Sequence, residues 1–546
     1  MFRAGIRTAV VLAVTAAGVL FAVLAAATSW WWLVLAVPLL AVGLLGCYDL
    51  SQSDRSVLRN YPVLGHLRYL FEGLRPEIQQ YFIERNFDGR PYDRDVRSIV
   101  YQRSKGIEGE SPFGTERDVY ADGYEFFAHS MSPHHAKGPI REHSQAGTEP
   151  APEEPPRIHI GGPDCKQPYD MSLLNVSAMS FGSLSANAIV ALSTGAAKGG
   201  FAHDTGEGGM SDYHLAGGAD LIWEVGTAYF GCRTPDGDFD PVAFKEKAAN
   251  PRVKMVSLKL SQGAKPGLGG VLPGEKVNAE IARVRDVPLG KTVVSPPYHR
   301  VFSTPRELVL FIDQMRELSG GKPAGFKLCV GTRRDVLAVC KAMLDEQITP
   351  DFIVVDGAEG GTGAAPLEFT DHVGMPLTEG LFEVHNALVG CGLRDRIKIG
   401  VSGKVATGSD MVKRMIQGAD YTNAARAMMF AVGCIQAQRC HTNRCPVGVA
   451  TQDPRRSRAL YVPDKSERVF HFQQATVHSA MKIMFSLGVS HPDQLRPHML
   501  YRRVSPQSVR SYAELCPPLR RGQLLDDPPA DWAQDWKLAS PDSFAV

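Results

Sequence analysis

The chain has 546 residues, enough for a barrel of about 250 residues with further segments on either side. Its 59 Lys and Arg residues nearly balance 58 Asp and Glu residues, and no basic stripe alternates with aromatic residues, so the sequence predicts no binding of nucleic acid. Seven of the ten cysteines are scattered singly and are expected to be small buried side chains, which argues against a disulfide framework.

Two apolar runs, residues 9–27 and 30–47, lie at the N-terminus. Each is close to the roughly 20 residues that a membrane-spanning helix needs, and neither contains a charge. Three tryptophans open the second run, as is typical of a membrane interface, and basic residues outside both runs favour cytoplasmic ends. The sequence therefore predicts a transmembrane helical hairpin over residues 1–50 in the inner (cytoplasmic) membrane, with the remainder facing the cytoplasm. A signal peptide cleaved after Ala27 is the alternative, which the second run disfavours.

Residues 51–160 contain no motif that carries chemistry. Residues 67–86 are predicted to form an amphipathic helix, because apolar residues recur at helical spacing from Leu67 to Phe82, and Gly73 and Pro76 predict a break into two pieces, the second starting at Pro76. Residues 143–156 are polar and rich in proline, which predicts a linker. We therefore expect a helical and irregular region before the main domain.

Short β-rich runs alternate with longer helical patterns from about residue 170 onward. Such alternation predicts a parallel sheet, and a sheet closed into a barrel carries its functional loops at the C-terminal ends of the strands. An open doubly wound sheet is the alternative, but the Gly-x-Gly-x-x-Gly fingerprint after a first strand is missing. The predicted fold class is α/β, a TIM (β/α)8 barrel over residues 161–455, then a helical extension and an irregular tail over residues 456–546. The predicted strands are residues 173–177, 254–260, 292–295, 325–330, 352–355, 397–401 and 420–424.

The last two predicted strands end in residues that suit a phosphate. Gly403 and Lys404 follow one strand, and Ala424, Ala425 and Arg426 follow the other. Barrels often bind phosphate with the loops after strands seven and eight, where glycine lets backbone N–H groups approach the anion. An ordinary tight turn is the alternative for either loop.

Three cysteines, Cys434, Cys440 and Cys445, lie close together after the last predicted strand. Thiolates are the ligands of iron–sulfur clusters, and three ligands fit a cluster that lacks one iron. A zinc site with His441 as the fourth ligand is less favoured, because zinc usually takes more closely spaced cysteine pairs. A chance group of structural cysteines is the third alternative. The favoured interpretation is an iron–sulfur loop at the C-terminal side of the barrel.

Seven collinear segments resemble the FMN-binding synthase domain of glutamate synthase. The segments are SAMSFGSLS (177–185), TGEGG (205–209), QGAKPGLGG (262–270), SPPYHR (295–300), DGAEGGTGAAP (356–366), GLRDRIKIGVSGKVATG (392–408) and CHTNRCPVGVATQ (440–452). The resemblance spans residues 160–500. It implies a barrel that holds FMN with a [3Fe–4S] cluster beside it, and it implies that Cys434, Cys440 and Cys445 are the cluster ligands.

The resemblance also implies which residues meet the flavin and the substrate. The implied flavin-binding residues are Ser177, Ala178, Met179, Lys327, Asp356, Gly357, Gly360, Gly361, Gly403, Lys404, Ala424 and Ala425. The residues implied to lie near a 2-oxoacid substrate and its imine are Glu207, Gln262, Lys265 and Arg285. Lys265 and Arg285 are the positive charges that a dicarboxylate needs. Glu207 and Lys265 are the implied catalytic residues, with Glu207 as acid or base.

The implied reaction is the reduction of 2-iminoglutarate, formed from 2-oxoglutarate and ammonia, to glutamate by hydride transfer from reduced FMN. The expected electron donor is ferredoxin or a reductase subunit. We expect no glutaminase domain, because Phe2 stands where the large form of the family begins with a catalytic cysteine, so ammonia is expected to be free or to come from another subunit. We also expect no C-terminal β-helix.

Two pocket residues depart from the family pattern. Val271 stands where a glutamine is expected, and Leu268 stands where an acidic residue is common. They leave open a related oxidoreductase that acts on a different imine or amine and passes electrons through the cluster to a membrane or protein partner. A non-catalytic relay or scaffold is a third possibility, which Glu207, Lys265 and Arg285 disfavour.

Overall fold

The structure is a computed structural model that describes residues 2–107, 109, 112–134 and 154–544. The chain divides into two compact units, Met1–Arg94 and Asp95–Val546. Most of the predicted linker at residues 143–156 lies outside the described residues. The domain boundaries expected after residues 50, 160 and 455 stay predictions.

The first unit begins with two long apolar helices, Phe2–Ala27 and Leu33–Ser51, which are joined through a 3-10 turn at Trp30–Trp32. The helices pack against each other in opposite directions at very close range. A Cβ atom on Gly46 would lie 2.9 Å from the side chain of Val11, and one on Gly43 would collide with Thr15. Small residues allow such close approach between apolar helices. Both helices are long and apolar enough to cross a membrane, by length and composition alone.

The amphipathic helix predicted in the first unit is present but unbroken. A short helix, Ser56–Asn60, precedes the helix Gly65–Ile78, which continues directly into a π-helical turn at Gln79–Ile83. The break predicted at Gly73 and Pro76 is therefore wrong. A proline removes one backbone hydrogen bond without always ending a helix, and here the helical winding changes only after Ile78.

Eight parallel strands close into a barrel in the second unit, which confirms the predicted TIM barrel. The last strand of the barrel pairs with the first through Thr422–Leu174 and Ala424–Val176 and so closes the sheet. In chain order the strands are β1 (Leu174–Val176), β2 (His203–Asp204), β3 (Leu221–Val225), β4 (Val253–Lys259), β5 (Ala324–Leu328), β6 (Phe352–Asp356), β7 (Lys398–Ser402) and β8 (Tyr421–Ala424).

Two strands of the barrel were not predicted from the sequence, and one predicted strand is not part of the barrel. Strand β2 has only two residues, and β3 carries Glu224 inside an apolar run, so neither shows a clear strand pattern. The run predicted at residues 292–295 forms Val293–Val294, which pairs antiparallel with Val271–Leu272 in the segment after β4. A short β-rich run has the same composition in a loop hairpin as in a barrel strand, so only pairing distinguishes them.

Helices surround the barrel and bury an apolar layer against the strands, in which Trp223 stacks on Phe244. The long helix Val462–Ser486 packs against Ala186–Gly199 and Gly408–Ile416 and completes the ring. The helices that follow the strands are Ala186–Gly199, Asp212–Ala216, Pro241–Ala248, Ala279–Arg285, Pro305–Leu318, Arg333–Glu346, Leu367–His372, Leu377–Gly390, Gly408–Ile416 and Arg426–Ala431.

The C-terminal segment is regular where the sequence predicted an irregular tail. Strands Leu500–Ser505 and Ser508–Ser511 form an antiparallel sheet with Glu125–Phe127. The last helix is held by Trp532, whose ring lies 4.1 Å from the Arg333 guanidinium. These elements are too short to show a period in the sequence, so packing alone reveals them. The remaining helices and strands of this unit are Arg94–Ser104, Ile158–Ile160, Tyr169–Met171, Pro454–Ser457, Tyr512–Leu515, Gln523–Asp526 and Ala530–Leu538.

A buried ion pair connects the N-terminal ends of β5 and β6. Asp351, directly before β6, accepts hydrogen bonds from Arg316 Nε (3.0 Å), the backbone N–H of Ala324 (2.9 Å) and that of Gly162 (2.6 Å). Arg316 and Asp351 are both almost fully buried. Burying a charge is costly unless a partner compensates it, so this pair is expected to matter for stability.

We expect Asp351→Ala to lower the free energy of unfolding by about 3–5 kcal/mol, because it leaves the Arg316 charge without its most buried partner. The control is Asp238→Ala, which removes an exposed pair with Arg300 at 3.0 Å and should cost at most about 1 kcal/mol. Urea unfolding of both variants, followed by circular dichroism, measures the difference. Equal losses would show that the buried pair has no special role.

Candidate active site

Charged side chains lie close together at the C-terminal end of the barrel, enclosed by its strands. Lys259 on β4 lies directly opposite Lys327 on β5, and Asp356 on β6 lies opposite Ser402 on β7. Glu224 on β3 joins them, and its carboxylate forms an ion pair with the Lys327 ammonium. In a parallel barrel all strands end on one face, which is where barrel enzymes place their active sites.

The Lys327–Glu224 pair is buried, with exposed fractions of 5% and 1%. Burial alone would lower the pKa of Lys327, but Glu224, Asp204 and Asp356 together raise it, so the ammonium stays charged. Burial, followed by the charge of Glu224, raises the pKa of Asp204 to about 8. The raised pKa favours the protonated form of Asp204 beside the Lys327–Glu224 ion pair.

Asp356 connects the loops that follow three strands. Its carboxylate accepts hydrogen bonds from the backbone N–H of Gly263 (2.8 Å) and from the hydroxyl of Ser402 (2.6 Å). The next residue, Gly357, donates its N–H to the carbonyl of Ser402 at 2.9 Å. The implied flavin residues Asp356 and Gly357 thus lie where the loops of β4, β6 and β7 meet.

The glycine-rich loop after β6 lies against the end of β8. Gly360 closes a turn by donating to the carbonyl of Gly357 at 2.8 Å, and Gly361 is exposed beside it. Arg426, directly after Ala425, donates to the carbonyl of Glu359 at 2.6 Å. Arg426, which the sequence suggests as a phosphate-binding residue, therefore joins the loops that follow β6 and β8.

The turn after β7 has an unusual backbone. Gly403 has φ = 146° and the exposed Lys404 has φ = 53°, a left-handed conformation that costs a non-glycine residue free energy. Such strain is concentrated at functional sites. The turn places the Lys404 side chain in solvent at the C-terminal rim, which suits a phosphate group.

The end of β1 completes the rim next to β8. Ser177 donates its backbone N–H to the carbonyl of Ala424 (3.1 Å), and Met179 donates to the carbonyl of Asp204 (3.2 Å). Ser177 and Met179 are buried, and Ala178 is partly exposed. The structure therefore brings the implied flavin residues together on one rim; their contact with a flavin stays a prediction.

A second charged group lies beside this rim and contains the implied substrate residues. The Glu207 carboxylate lies 2.8 Å from the Lys259 ammonium, which also donates to Gln262 Oε1 at 3.0 Å. Burial alone would raise the pKa of Glu207, but Lys259, Arg285 and Lys265 hold it below its ordinary value. Glu207 is thus a carboxylate at neutral pH, and a Cβ atom on Gly270 would collide with it.

Lys265 and Arg285 contribute the other two buried charges. Lys265 is 3% exposed, and burial lowers its pKa although Glu207 acts in the opposite direction. Arg285, the last residue of Ala279–Arg285, is 5% exposed, and burial lowers its pKa to about 10, so it remains protonated at neutral pH.

Arg285 is only partly satisfied by the protein. Its Nη2 donates to the carbonyl of Phe181 (3.0 Å) and to the Ser180 hydroxyl (3.4 Å), and the guanidinium lies 5.1 Å from the centre of the Phe230 ring. Its buried Nε has no hydrogen-bond partner among the described residues. A buried donor without an acceptor is costly, so Arg285 suits an anionic ligand.

Sequence reasoning missed Lys259 and His299. Lys259 was assigned to a strand, yet a lysine inside the buried run MVSLKL was a signal of a charged site. His299 hydrogen-bonds to the carbonyl of Lys259 (2.9 Å) and to the Tyr229 hydroxyl (3.1 Å), and burial lowers its pKa to about 4. The neutral His299 therefore supports the backbone of Lys259.

The three grouped cysteines lie on one wound loop. Gln436, Gln438 and Asn443 all have φ between 53° and 56°, and such left-handed residues let a short segment turn back on itself. Burial raises the pKa of Cys434 to about 12, and the neighbouring Cys440 and Cys445 add to this shift. The three thiols are thus close enough to influence one another.

No group of three or more His, Cys, Asp or Glu side chains within the described ranges is placed to hold a single metal ion. His441 is exposed, which further disfavours the zinc alternative. The thiolates of an iron–sulfur cluster bind different iron atoms and need not meet at one point, so the donor set still fits a cluster. The ligand assignment stays a prediction.

Lys276 is a further residue that the sequence did not single out. Its buried ammonium donates to the carbonyls of Cys440 (2.8 Å), Ser183 (3.2 Å) and Ala450 (3.4 Å). Lys276 therefore joins the segment after β4, which contains the implied substrate residues Gln262, Lys265 and Arg285, to the loop after β1 and to the cysteine loop.

Comparison with known proteins supports the resemblance. A family described as a conserved region in glutamate synthase matches residues 157–490. The glutamate synthase large subunit-like protein YerD of Bacillus subtilis (strain 168) is 36% identical over 497 residues, which cover 86% of this chain and 94% of that protein.

Other relatives match only in part. The archaeal-type glutamate synthase (NADPH) of Thermotoga neapolitana is 32% identical over 59% of this chain and 60% of its own length. The ferredoxin-dependent glutamate synthase of Pyropia yezoensis is 37% identical over 46% of this chain and 16% of its own length.

Among solved structures, mandelate oxidase with (S)-2-phenylpropionate aligns with a TM-score of 0.42 and 12% identity over 76% of this chain and 98% of its own. The barrel is assigned from its own strand pairing, independently of that alignment. The family match covers more than half of the chain, and YerD is matched over nearly its whole length. The chain therefore belongs to the glutamate synthase family of oxidoreductases.

Proposed function

We propose that the protein uses FMN to reduce the imine formed from 2-oxoglutarate and ammonia, giving glutamate. The observation that carries this proposal is the group formed by the partly buried Glu207 and the buried cations Lys259, Lys265 and Arg285, beside the strand ends that the resemblance implies for the flavin. Two of these cations have no carboxylate partner within hydrogen-bond distance among the described residues, which suits a substrate with two carboxylates.

The residues of the rim fit FMN. Lys404 and the left-handed turn at Gly403 suit the phosphate, as does Arg426 across the rim. Asn423 is the second-last residue of β8. Its buried Oδ1 has no hydrogen-bond partner among the described residues, as expected for a wall that meets a polar ligand. When bound, FMN supplies the hydride for the reduction.

Each residue of the substrate group has a distinct proposed role. Arg285 and Lys265 bind the two carboxylates of the substrate. The Glu207 carboxylate stabilises the positive charge of the protonated imine nitrogen, since its lowered pKa keeps it in the anionic form, which can accept a proton but has none to donate. Lys259 and Gln262 hold Glu207 in place.

We further propose that Cys434, Cys440 and Cys445 hold a [3Fe–4S] cluster and that it passes electrons from a partner to the flavin. The names of the relatives include both a ferredoxin-dependent and an NADPH-linked glutamate synthase, so ferredoxin or a reductase subunit is the proposed donor. Ammonia enters free or from another subunit.

The two apolar helices support a second proposal about location. We infer that they span the inner membrane as a hairpin with both ends in the cytoplasm, since Arg7 and Arg59 lie outside the apolar runs.

One observation favours a different substrate as the runner-up. Val271, where the family pattern has a glutamine, is 43% exposed, and Leu268 is 38% exposed, so both present apolar surface next to Gly270, which lies against Glu207. A related oxidoreductase acting on another imine or amine fits this change.

We expect Arg285→Ala to lower kcat/KM for 2-oxoglutarate about ten- to a hundredfold, since losing one charge-assisted bond costs about 1.5–3 kcal/mol. The matched control is Arg283→Ala in the same helix, whose exposed side chain lies 3.5 Å from Asp212. Steady-state kinetics under anaerobic conditions, with ammonia and reduced ferredoxin and with matched flavin content, measure both. Unchanged kinetics in Arg285→Ala would remove it from the substrate site, and inactivity of the parent chain with 2-oxoglutarate would favour the runner-up.

We expect Cys440→Ser to abolish bound iron and the EPR signal of the cluster, because a hydroxyl is a poor replacement for a thiolate ligand. Cys165→Ser, at a partly exposed cysteine outside the cysteine loop, should leave both unchanged. Iron and acid-labile sulfide are measured in each purified variant. A full iron content in Cys440→Ser would contradict the ligand assignment.

A further inference from the structure

The helix that follows the hairpin carries an exposed apolar stripe. Over Gly65–Ile78 and Gln79–Ile83, apolar side chains recur every three or four residues and so lie on one face. Their exposed fractions run from 36% at Ile78 to 84% at Phe82. A contiguous exposed apolar patch of this kind marks an interaction surface. The stripe consists of Leu67, Leu70, Phe71, Leu74, Ile78, Tyr81 and Phe82.

Contacts with both apolar helices fix where the stripe begins. Asp49, buried at the end of Leu33–Ser51, accepts hydrogen bonds from the backbone N–H of Val63 (2.8 Å) and from His66 Nε2 (2.9 Å). Arg7, near the start of the first helix, donates to Asn60 Oδ1 at 2.5 Å. Because the two outer ends of the hairpin hold this segment, the amphipathic helix starts where the hairpin would leave the bilayer.

The charges around this start fit an anionic lipid surface. Arg55 lies with its guanidinium 4.7 Å from the Tyr69 ring, and Arg59 is close by in sequence. By helical spacing Arg68 and Arg75 stand at one edge of the stripe, where long basic side chains reach lipid headgroups. Helices with an apolar face bordered by arginines lie in the plane of a membrane interface.

We propose that the helix over residues 65–83 lies in the headgroup layer of an anionic bilayer, with its apolar stripe in contact with the acyl chains. The proposal depends on the membrane hairpin and is independent of the reaction and its cofactors. A second copy of the chain, or residues 95–544 of the same chain, are the other occupants of the stripe that the test distinguishes.

The test uses the full chain reconstituted in vesicles of phosphatidylcholine and phosphatidylglycerol. The photo-crosslinker p-benzoyl-phenylalanine replaces Phe71 on the stripe or the neighbouring Glu72 on the opposite side, both exposed positions where the substitution leaves packing intact. A third variant carries it at Leu20, an exposed position in the first apolar helix, as a reference for lipid contact. Mass spectrometry after illumination identifies the adducts.

We expect severalfold more lipid adducts at position 71 than at position 72, with position 20 also giving lipid adducts. Lipid adducts at position 20 together with cross-links from position 71 to peptides of the same or a second chain would overturn the proposal and leave the hairpin in place. Absence of lipid adducts at all three positions would overturn both.

Discussion

The chemistry of this barrel depends on charges that are buried at the C-terminal ends of its strands. An ion in the protein interior costs several kcal/mol unless a partner compensates it. Lys327 is therefore paired with Glu224, while burial and then the charge of Glu224 raise the pKa of the neighbouring Asp204. Each of these side chains comes from a different strand, so the charge balance is correct only when the barrel is closed.

The same balance extends outward into the loops. Lys259, at the end of β4, neutralises Glu207 from the loop after β2, while Asp356 fixes the backbone at Gly263. These contacts keep Glu207 in its carboxylate form. The buried Nε of Arg285 has no hydrogen-bond acceptor among the described residues. A site with fixed negative charge and unsatisfied positive charge suits a dicarboxylate that gains a positive nitrogen during the reaction. Val271 is exposed and is less polar than the glutamine of the family pattern, so we propose that this position can change the substrate preference.

Much of this arrangement follows from the sequence, and the rest depends on contacts between distant segments. The strand–helix alternation predicted the barrel, because parallel strands and their helices have different periods. Strand β2 was invisible because two residues have no period, and β3 was hidden because Glu224 interrupts its apolar run. The family resemblance implied Glu207 and Arg285 as site residues, but not the ionisation state of Glu207, since its lowered pKa arises chiefly from Lys259 on another strand. Nor did spacing reveal Lys276, whose three acceptors are carbonyls far apart in sequence.

We propose that this one chain joins a flavin at the rim to an imine-reducing site at Glu207 and Arg285. The most direct measurement is a single anaerobic turnover: the purified chain is reduced with dithionite, excess reductant is removed, and 2-oxoglutarate and ammonia are added. We expect the absorbance of oxidised FMN to return and glutamate to form in an amount matching the electrons lost. Flavin that stays reduced while no glutamate appears, or a folded chain from which no FMN can be released, would contradict it.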